Sequence, residues 1–352
     1  MLDFYKDKKV FLTGHTGFKG TWMCRILLQA GAKVTGYSLQ PPTNPSLFEQ
    51  INGIRFPVHW YQCDICDRHT LRNAMNMAKP DIVFHMAAQP LVRFSYKESA
   101  RTYETNVMGT VNLLEAMKST PSVKSFVNVT TDKVYENKER HEGYREDENL
   151  CGYDPYSNSK SCSELATYSY RKSFFNDKDA PAISTARSGN VIGGGDYSED
   201  RIVPDCVRAT QAGKKIVIRN PHSIRPYQHV LECLSGYLLL AQKQYDDKNF
   251  EGAYNFGPDS ESCVTTEDLV NLFCETYGSG AAWHVQGDGG PHEANFLKLD
   301  CSKAKNVLNW KPYWNIKTAI EKVVEFTKVH TDEERTLCVD RQIAEYFDIT
   351  KK

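Results

Sequence analysis

Short apolar runs alternate with stretches of helical spacing through the first half of the chain. The strand-like runs are KKVFLTG (8–14), KVTGYSL (33–39), HWYQCDI (59–65), DIVFHMAA (81–88), KSFVNVTT (124–131) and AISTARSGN (182–190). Helix-like stretches such as TWMCRILLQAG (21–31) and NVMGTVNLLEAMKST (106–120) lie between them. Strands separated by helices need crossover connections, and this pattern predicts an α/β protein with a parallel, doubly wound Rossmann-type sheet.

The pattern becomes irregular after Ser188, where Gly and Pro interrupt short strand-like and helix-like pieces. We therefore predict a smaller, mixed α/β substrate-binding lobe over the carboxyl edge of the sheet, with the chain passing between the two parts more than once. The predicted boundaries are 1–187 and 225–257 for the Rossmann domain, 188–224 and 258–330 for the lobe, and 331–352 for a C-terminal helical tail. Helical apolar spacing in RTLCVDRQIAEYF predicts the tail helix.

Composition narrows the class of protein. Charged residues make up 25% and apolar residues 40% of the 352 residues, which is typical of a soluble globular protein. The formal net charge of −1 predicts no nucleic-acid partner. No apolar run reaches about 18 residues and the first residues lack a signal-peptide pattern, so we expect no membrane association and a cytoplasmic location.

The cysteines predict neither disulfides nor a metal site. The eleven cysteines are scattered over the chain without framework spacing, as expected for reduced thiols. Cys63 and Cys66 have C-x-x-C spacing, but no second Cys or His pair lies near them in the sequence. We therefore predict no bound metal.

A glycine-rich turn follows the first predicted strand. The segment TGHTGFKG places Gly14, Gly17 and Gly20 between that strand and the next helix. In a dinucleotide site, such glycines allow a tight turn, the close approach of a pyrophosphate and close packing of helix on strand. The helix N-terminus then faces the pyrophosphate. A purely structural turn is the alternative, but the strand–turn–helix context favours a dinucleotide.

The choice between NAD and NADP depends on the end of the second strand. Ser38 stands where an acidic residue that binds the ribose is expected, and no Arg follows closely to hold a 2′-phosphate. We therefore favour NAD. Asp64 and Ile65 follow the third strand and are predicted to border the adenine.

A tyrosine and a lysine occur at a spacing that brings them together. Tyr156 and Lys160 in YDPYSNSK are four residues apart, on one face of a helix. A tyrosine ordinarily loses its proton at about pH 10, and a neighbouring ammonium and a positive nicotinamide favour the phenolate at neutral pH. The phenolate is a base for a sugar or alcohol hydroxyl as hydride leaves the carbon. This spacing is common by chance, but here it follows a dinucleotide turn.

The ordered set of motifs resembles the extended short-chain dehydrogenase/reductase family over most of the chain. The motifs are GHTGFKG, FHMAAQP, NVMGTVNLLEA, YSNSK and ARSGNVIGGGD. Within this family the chain is most similar to the bacterial 4,6-dehydratases of CDP-glucose, in segments such as GYSLQPPTNPSLFE, TTDKVYEN and GNVIGGGDYSEDRIVPD. The resemblance implies NAD as cofactor and a nucleotide-diphosphate sugar, CDP-glucose, as substrate. The cofactor contacts that we predict are Gly14, Thr16, Gly17, Phe18, Gly20, Ser38, Asp64, Ile65, Ala87, Ala88, Gln89, Asn106, Tyr156 and Lys160.

An acid and an amine, Asp132 and Lys133, stand side by side after the apolar run SFVNV. A surface ion pair is the simplest interpretation. The resemblance implies instead that Thr131 hydrogen-bonds the sugar 4-oxygen beside Tyr156, and that Asp132 and Lys133 are the acid and base of a water elimination. The reaction would oxidise C4, eliminate water across C5 and C6, and return hydride to C6. A relay through solvent or tyrosine in place of Lys133 is left open.

The predicted substrate contacts lie mainly in the lobe. Arg187 and Asn190 follow a strand near the nicotinamide half of the cofactor, and the resemblance implies that Asn190 contacts the diphosphate. Arg201 and Arg225 are candidate guanidinium clamps for the diphosphate, with solvated arginines as the alternative. His292 stands where other family members often carry an Arg, so it is left open which residues bind the nucleotide.

Two other functions share parts of this pattern. An NAD-dependent nucleotide-sugar 4-epimerase shares the fold and the Tyr/Lys pair but does not need Asp132 and Lys133. A non-catalytic NAD(P)-binding sensor would commonly have lost the Tyr or the Lys. The resemblance also implies a homodimer or homotetramer, with the dimer helices including 102–118 and 156–172.

Overall fold

A seven-stranded parallel sheet forms the centre of the protein, in a computed structural model that describes residues 1–51, 59–287 and 296–350. The strands in these ranges are β1 (Lys9–Thr13), β2 (Lys33–Ser38), β3 (His59–Gln62), β4 (Ile82–His85), β5 (Ser125–Val129), β6 (Ala182–Arg187), β7 (Val191–Ile192), β8 (Ile216–Ile218), β9 (Ile224–Pro226), β10 (Gln228–His229), β11 (Ala253–Asn255), β12 (Cys263–Thr265) and β13 (Trp283–Val285). The order across the sheet is β11-β6-β5-β4-β1-β2-β3, with every pair parallel. The prediction of a doubly wound Rossmann-type sheet is confirmed.

Helices cover both faces of the sheet. They are α1 (Phe18–Gln29), α2 (Leu47–Gln50), α3 (Arg68–Ala78), α4 (Val92–Lys97), α5 (Ser99–Tyr103), α6 (Gly109–Lys118), α7 (Pro155–Phe174), α8 (Ile202–Gln211), α9 (Val230–Asp246), α10 (Thr266–Tyr277), α11 (Ile316–Thr327) and α12 (Asp332–Ile349). Short 3₁₀ segments lie at Leu2–Tyr5, Asp132–Val134, Lys248–Phe250 and Ser260–Ser262, and π segments at Glu104–Met108 and Ala304–Leu308. Helix α1 begins at Phe18, three residues before the predicted start, because Gly17 already caps it.

Alternate residues of each strand supply two separate cores. In β1, Val10 and Leu12 join the core beneath α1 and α9, whereas Phe11 joins the core beneath α3, α6 and α7. Side chains of successive strand residues point to opposite faces, so a strand that is apolar throughout fits only between two helical layers. This explains why the predicted strands are continuous apolar runs.

The smaller lobe is built from short strands and three helices. Its strands pair as β7 with β10, β8 with β13 and β9 with β12. Helices α8, α10 and α11 enclose a third core of buried residues that includes Val203, Phe273 and Ile320. The chain crosses between the two parts, because β11 pairs with β6 in the main sheet after β7–β10 have entered the lobe.

The last helix, α12, returns to the first half of the chain. Thr331 and Glu334 form a capping box at its start, and Asp340 makes an ion pair with Arg25 of α1 at 2.5 Å. The buried Glu232 carboxylate of α9 accepts hydrogen bonds from Tyr346 Oη at 2.7 Å and from the Trp314 backbone N–H at 2.6 Å. Burial raises the pKa of Glu232 to about 7. In the part of the chain that the structure describes, no helix is long and apolar enough to cross a membrane.

Candidate active site

The glycine turn lies at the carboxyl edge of the sheet, between β1 and β4, where the strand order reverses. Gly14 has a positive φ of 73°, and a Cβ on it would lie 2.7 Å from the backbone N of Ala87. A Cβ on Gly20 would lie 2.0 Å from the carbonyl oxygen of Gly14. Gly17 is the N-cap of α1, so the helix N-terminus opens above the turn. This is the geometry that receives a pyrophosphate.

Hydrogen bonds between hydroxyl groups connect the turn to the second strand. Thr16 Oγ1 lies 2.7 Å from Ser38 Oγ and donates to the carbonyl of Leu39 at 3.0 Å. Thr16 and Ser38 are both buried, and Phe18 is the first residue of α1. Ser38 therefore holds the turn against the end of β2, where the ribose-binding residue of a dinucleotide site is expected.

The predicted adenine border follows β3. The Asp64 carboxylate caps its own turn by accepting from the Cys66 backbone N–H at 2.9 Å, and the Asp64 carbonyl accepts from Tyr37 Oη at 3.0 Å. Ile65 is buried against Gly109, where a Cβ would lie 2.7 Å from the Ile65 side chain. Asp64 is held mainly by its own turn.

The π segment Glu104–Met108 places Asn106 against the loop 87–89, which contains three of the predicted cofactor contacts. Its Oδ1 accepts from the backbone N–H of Gln89 at 2.8 Å, and its Nδ2 donates to Ser159 Oγ at 2.9 Å. Ala87 is held by its backbone N–H, which donates to Thr13 Oγ1 at 3.1 Å, and Ala88 lies between these two anchors. Asn106 is 1% exposed and orders the 87–89 loop through these contacts.

Thr131 caps the 3₁₀ turn Asp132–Val134, which follows β5 and contains Asp132 and Lys133. Thr131 Oγ1 donates to Asp132 Oδ1 at 3.0 Å, and Asp132 is only 1% exposed. Burial raises the pKa of the Asp132 carboxyl, and the charge of Lys133 opposes this shift. Asp132 Oδ2 has no hydrogen-bond partner among the described residues. Lys133 is partly exposed. The pair thus differs from a solvated surface ion pair.

Helix α7 brings Tyr156 and Lys160 to the same edge. Asp154 caps the helix, with Pro155 in its first turn. Burial raises the pKa of Tyr156 to about 12, partly offset by a hydrogen bond with Thr131. Lys160 Nζ donates to the Val129 carbonyl at 3.1 Å, and burial lowers its pKa to about 8. Burial therefore opposes the phenolate, and the prediction of a phenolate depends on the charge of a bound nicotinamide together with that of Lys160.

A buried ion pair lies one helical turn beyond Lys160. Glu164 accepts from Arg187 Nε and Nη2, both at 2.9 Å, and each side chain is 3% exposed. Glu164 also accepts from the hydroxyls of Thr130 and Thr185. Arg187 Nη1 donates to Tyr135 Oη at 2.7 Å. We predicted that Arg187 contacts substrate. In the structure its guanidinium makes a bidentate bond with Glu164 that joins α7 to β5 and β6.

The other predicted substrate contacts are divided between cleft and lobe. Asn190 follows β6 with a positive φ of 29°, unusual for a residue with a side chain. Arg201 caps α8 and is partly exposed, with Nη1 3.1 Å from Asp196 Oδ2. Arg225 on β9 is buried and lies near the pair, because its charge partly offsets the rise that burial causes in the pKa of Asp132. His292 lies outside the described residues.

Two basic residues of the glycine turn were not singled out in the sequence. Lys19 is partly buried, and its Nζ donates to Ser188 Oγ at 3.2 Å and to Tyr237 Oη at 3.4 Å. Burial lowers the pKa of Lys19. His15 is fully buried beneath the turn, and burial lowers its pKa to about 4. The available signal was their position, because both residues stand inside the motif TGHTGFKG. The described residues contain no His, Cys, Asp and Glu cluster that could hold a metal ion.

The fold and this edge define a dinucleotide-binding protein of the short-chain dehydrogenase/reductase type. A family model described as GDP-mannose 4,6 dehydratase matches residues 11–323, and the chain belongs to that family. The predicted family resemblance is thereby confirmed.

Individual relatives narrow the comparison. The CDP-glucose 4,6-dehydratase of Salmonella typhimurium is 46% identical over 356 residues, covering 99% of each chain. The dTDP-glucose 4,6-dehydratase of Streptomyces antibioticus is 30% identical and covers 71% of each chain.

Solved structures agree in fold. The dTDP-glucose 4,6-dehydratase of Bacillus anthracis, in complex with NAD, superposes with a TM-score of 0.76 at 22% identity, covering 90% of this chain and 95% of that one. The UDP-glucuronic acid 4-epimerase of Bacillus cereus, in complex with UDP-glucuronic acid and NAD, gives 0.79 at 23% identity, covering 91% and 98%. Dehydratases and epimerases share this fold, so the fold alone does not distinguish the two reactions.

Proposed function

We propose that this protein is an NAD-dependent nucleotide-sugar 4,6-dehydratase, a hydro-lyase that converts CDP-glucose into CDP-4-keto-6-deoxyglucose for deoxysugar biosynthesis. The observation that carries the proposal is the buried Asp132 carboxyl, whose pKa is raised and whose Oδ2 has no partner among the described residues. A carboxyl in this state is a general acid. An oxidation at C4 alone needs no such group, whereas the loss of water does.

The glycine turn supports NAD as the cofactor. A Cβ on Gly14 or Gly20 would collide with the protein's own backbone, so these glycines allow the tight turn and close packing that bring the N-terminus of α1 to the place where a pyrophosphate binds. Ser38 stands at the ribose position, and Asp64 and Ile65 border the adenine. When bound, NAD⁺ supplies the acceptor that takes a hydride from sugar C4 and returns it to C6.

Oxidation at C4 uses groups on α7 and at the end of β5. Tyr156 takes the proton of the 4-hydroxyl, and Thr131 hydrogen-bonds the same oxygen. Because burial raises the pKa of Tyr156 to about 12, the phenolate needs positive charge beside it. Lys160 and the charge of the bound nicotinamide supply it.

Elimination uses the pair that follows Thr131. The 4-ketone acidifies the hydrogen on C5, and Lys133 takes that proton. Asp132 gives its proton to the 6-hydroxyl, which leaves as water. The proton that Lys133 has taken returns to C5 when hydride returns to C6. The proton that Tyr156 took from the 4-hydroxyl balances the one that Asp132 gave to the departing water, so its passage to Asp132 restores both groups for the next cycle.

The diphosphate is assigned to Asn190, Arg201 and Arg225. Asn190 follows β6 at the edge of the cleft, and both arginines can present a planar fork of donors to phosphate oxygens. Arg187 is not included, because Glu164 and Tyr135 occupy its guanidinium.

A panel of nucleotide sugars tests the proposal. The protein is incubated with NAD⁺ and CDP-, dTDP-, UDP- or GDP-glucose, and the masses of the products are measured by mass spectrometry. CDP-glucose should lose one water. A product of unchanged mass and inverted C4 would instead identify a 4-epimerase, and cofactor binding without turnover of any sugar would identify a sensor.

A homodimer is part of the proposal, and a homotetramer would be built from two such dimers. Apolar side chains are exposed on the two helical stretches predicted to pair, with Met108 48%, Leu165 53% and Tyr168 56% exposed. Burying them against a second copy would remove a surface that a monomer leaves in water. Sedimentation should give a dimer that Leu165→Glu dissociates. Val307→Glu, at a residue 45% exposed elsewhere, is the matched control.

A further inference from the structure

Gly189 packs directly against the Asp132 carboxyl. A Cβ on Gly189 would lie 1.9 Å from Asp132 Oδ2 and 2.4 Å from Asp132 Cγ. Real Cβ atoms do not approach other atoms so closely, so any side chain at this position would displace the carboxyl or the backbone. The main chains are also joined here, because the Asp132 N–H donates to the Ser188 carbonyl at 3.2 Å.

The conformation of Gly189 does not explain why it is a glycine. Its φ lies outside the left-handed range that other residues avoid, unlike Gly14 or Gly195. The Gly189 carbonyl accepts from Gln228 Nε2 at 3.3 Å, a contact open to any residue type. What a side chain would meet at this position is the carboxyl of Asp132, so glycine is needed for space and not for backbone freedom.

The carboxyl position is therefore set from two sides. Thr131 Oγ1 holds Oδ1 at 3.0 Å, and the bare Cα of Gly189 admits Oδ2 into a site that is 1% exposed. Without that space the carboxyl would have to turn toward the open cleft and gain water. A carboxyl that gains water returns toward its ordinary pKa and is ionised at neutral pH.

We propose that Gly189 is a positioning residue for the elimination step, because its missing side chain lets Asp132 occupy the buried place from which it protonates the departing 6-hydroxyl. The inference rests on the proposed dehydratase function and deepens it. Gly189 has no role in the oxidation of C4 in this proposal, because the groups that oxidise C4, Tyr156 and Lys160, reach the cleft from α7.

The test is Gly189→Ala in the full-length protein with CDP-glucose and NAD⁺. Overall turnover should fall by at least about tenfold, toward the ~100–10,000-fold that a general acid supplies. Single-turnover reduction of the cofactor, read from nicotinamide absorbance, should stay within about threefold of wild type. The limb of the pH–rate profile on which turnover falls as the acid ionises should also move to lower pH.

Gly257→Ala is the matched control. A Cβ on Gly257 would lie 3.4 Å from Cys301 Sγ and 3.6 Å from Leu299 Cβ, which is ordinary van der Waals contact. Gly257 is also a buried glycine that follows a strand of the main sheet. The turnover of this variant should stay close to wild type.

A double-mutant cycle distinguishes positioning from general damage. In an Asp132→Ala background the carboxyl is gone, so adding Gly189→Ala should cost no more than about twofold. If Gly189→Ala alone does not fold but the double variant does, the clash with the carboxyl is supported. The proposal would be overturned if the double variant lost turnover by the product of the two single losses. It would also be overturned if Gly189→Ala slowed cofactor reduction as much as turnover, or if the double variant also failed to fold.

Failure of the inference can be told from failure of the proposed function. If wild type forms no dehydrated product from any nucleotide sugar, the function is wrong. If wild type forms it and Gly189→Ala matches Gly257→Ala, the function stands and only the role of Gly189 is wrong.

Discussion

Replacing Glu164 with Gln should destabilise the protein by about 3–5 kcal/mol, the cost of leaving one charge of a buried pair uncompensated. Arg187 is 3% exposed and gives Glu164 two hydrogen bonds of 2.9 Å. Gln keeps the shape of Glu164 but not its charge, so the guanidinium would stay buried without a counter-ion. Gln also keeps only one of the two oxygens that accept from the hydroxyls of Thr130 and Thr185, so one hydroxyl would lose its acceptor.

Urea unfolding followed by circular dichroism measures the loss. Glu115→Gln is the control, because Glu115 bonds Arg68 at 3.2 Å on the surface and such pairs contribute about 0–1 kcal/mol. The paired change Glu164→Leu with Arg187→Met should recover most of the stability, since no lone charge remains. A Glu164→Gln protein as stable as the control would refute this account.

Arg187→Met alone separates the structural role from our earlier prediction of a substrate contact. If Arg187 serves the ion pair, the variant should lose stability because Glu164 is left as a buried, unpaired carboxylate. If Arg187 binds the diphosphate, KM for the nucleotide sugar should rise while the unfolding curve stays unchanged. The second result would show that Arg187 contacts the substrate, as the sequence predicts.

Three further predictions concern chemistry and pH. Tyr156→Phe should abolish turnover yet keep nucleotide-sugar binding by calorimetry, and wild-type-like turnover would remove its role as base. Asp132→Asn and Lys133→Met should lower turnover ~100–10,000-fold while cofactor reduction persists, and Lys133→Met should slow C5 exchange in deuterated water more strongly. Loss of cofactor reduction in both would mean that the pair only organises the site. Because burial raises the pKa of Glu232 from 4.5 to about 7, its stabilising contribution is present below pH 4.5 and lost as pH rises to about 7. Glu232→Gln should flatten that slope in urea titrations from pH 4 to 8, and an unchanged slope would contradict the assignment.

The main sheet and the catalytic edge could be predicted because their signals are local. Continuous apolar runs mark strands buried on both faces, and the glycines of 14–20 mark the turn between β1 and α1. Helical spacing brings Tyr156 and Lys160 to one face. The same spacing continues to Glu164, four residues further. The sequence therefore indicates that Glu164 lies on this helix face, but it does not indicate that Arg187 is its partner.

Long-range pairing could not be predicted in the same way. An Arg at the end of a strand, such as Arg187, fits a phosphate or a buried carboxylate equally well until the distance to Glu164 is known. The lobe strands are only two or three residues long, which is too short for a repeating pattern of apolar positions to identify them. Gly189 and Asp132 follow two different strands, β6 and β5, and nothing in either local sequence indicates that they are in contact.

The crossing of the chain between the two parts has a consequence for synthesis on the ribosome. Strand β6 is an unprotected edge until β11 arrives, and β11 is translated only after α8 and α9. Exposed strand edges are templates for pairing with other chains. The nascent protein thus passes through a stage in which six strands are in place and the seventh is still being made, and slower translation of 188–252 would lengthen that aggregation-prone interval.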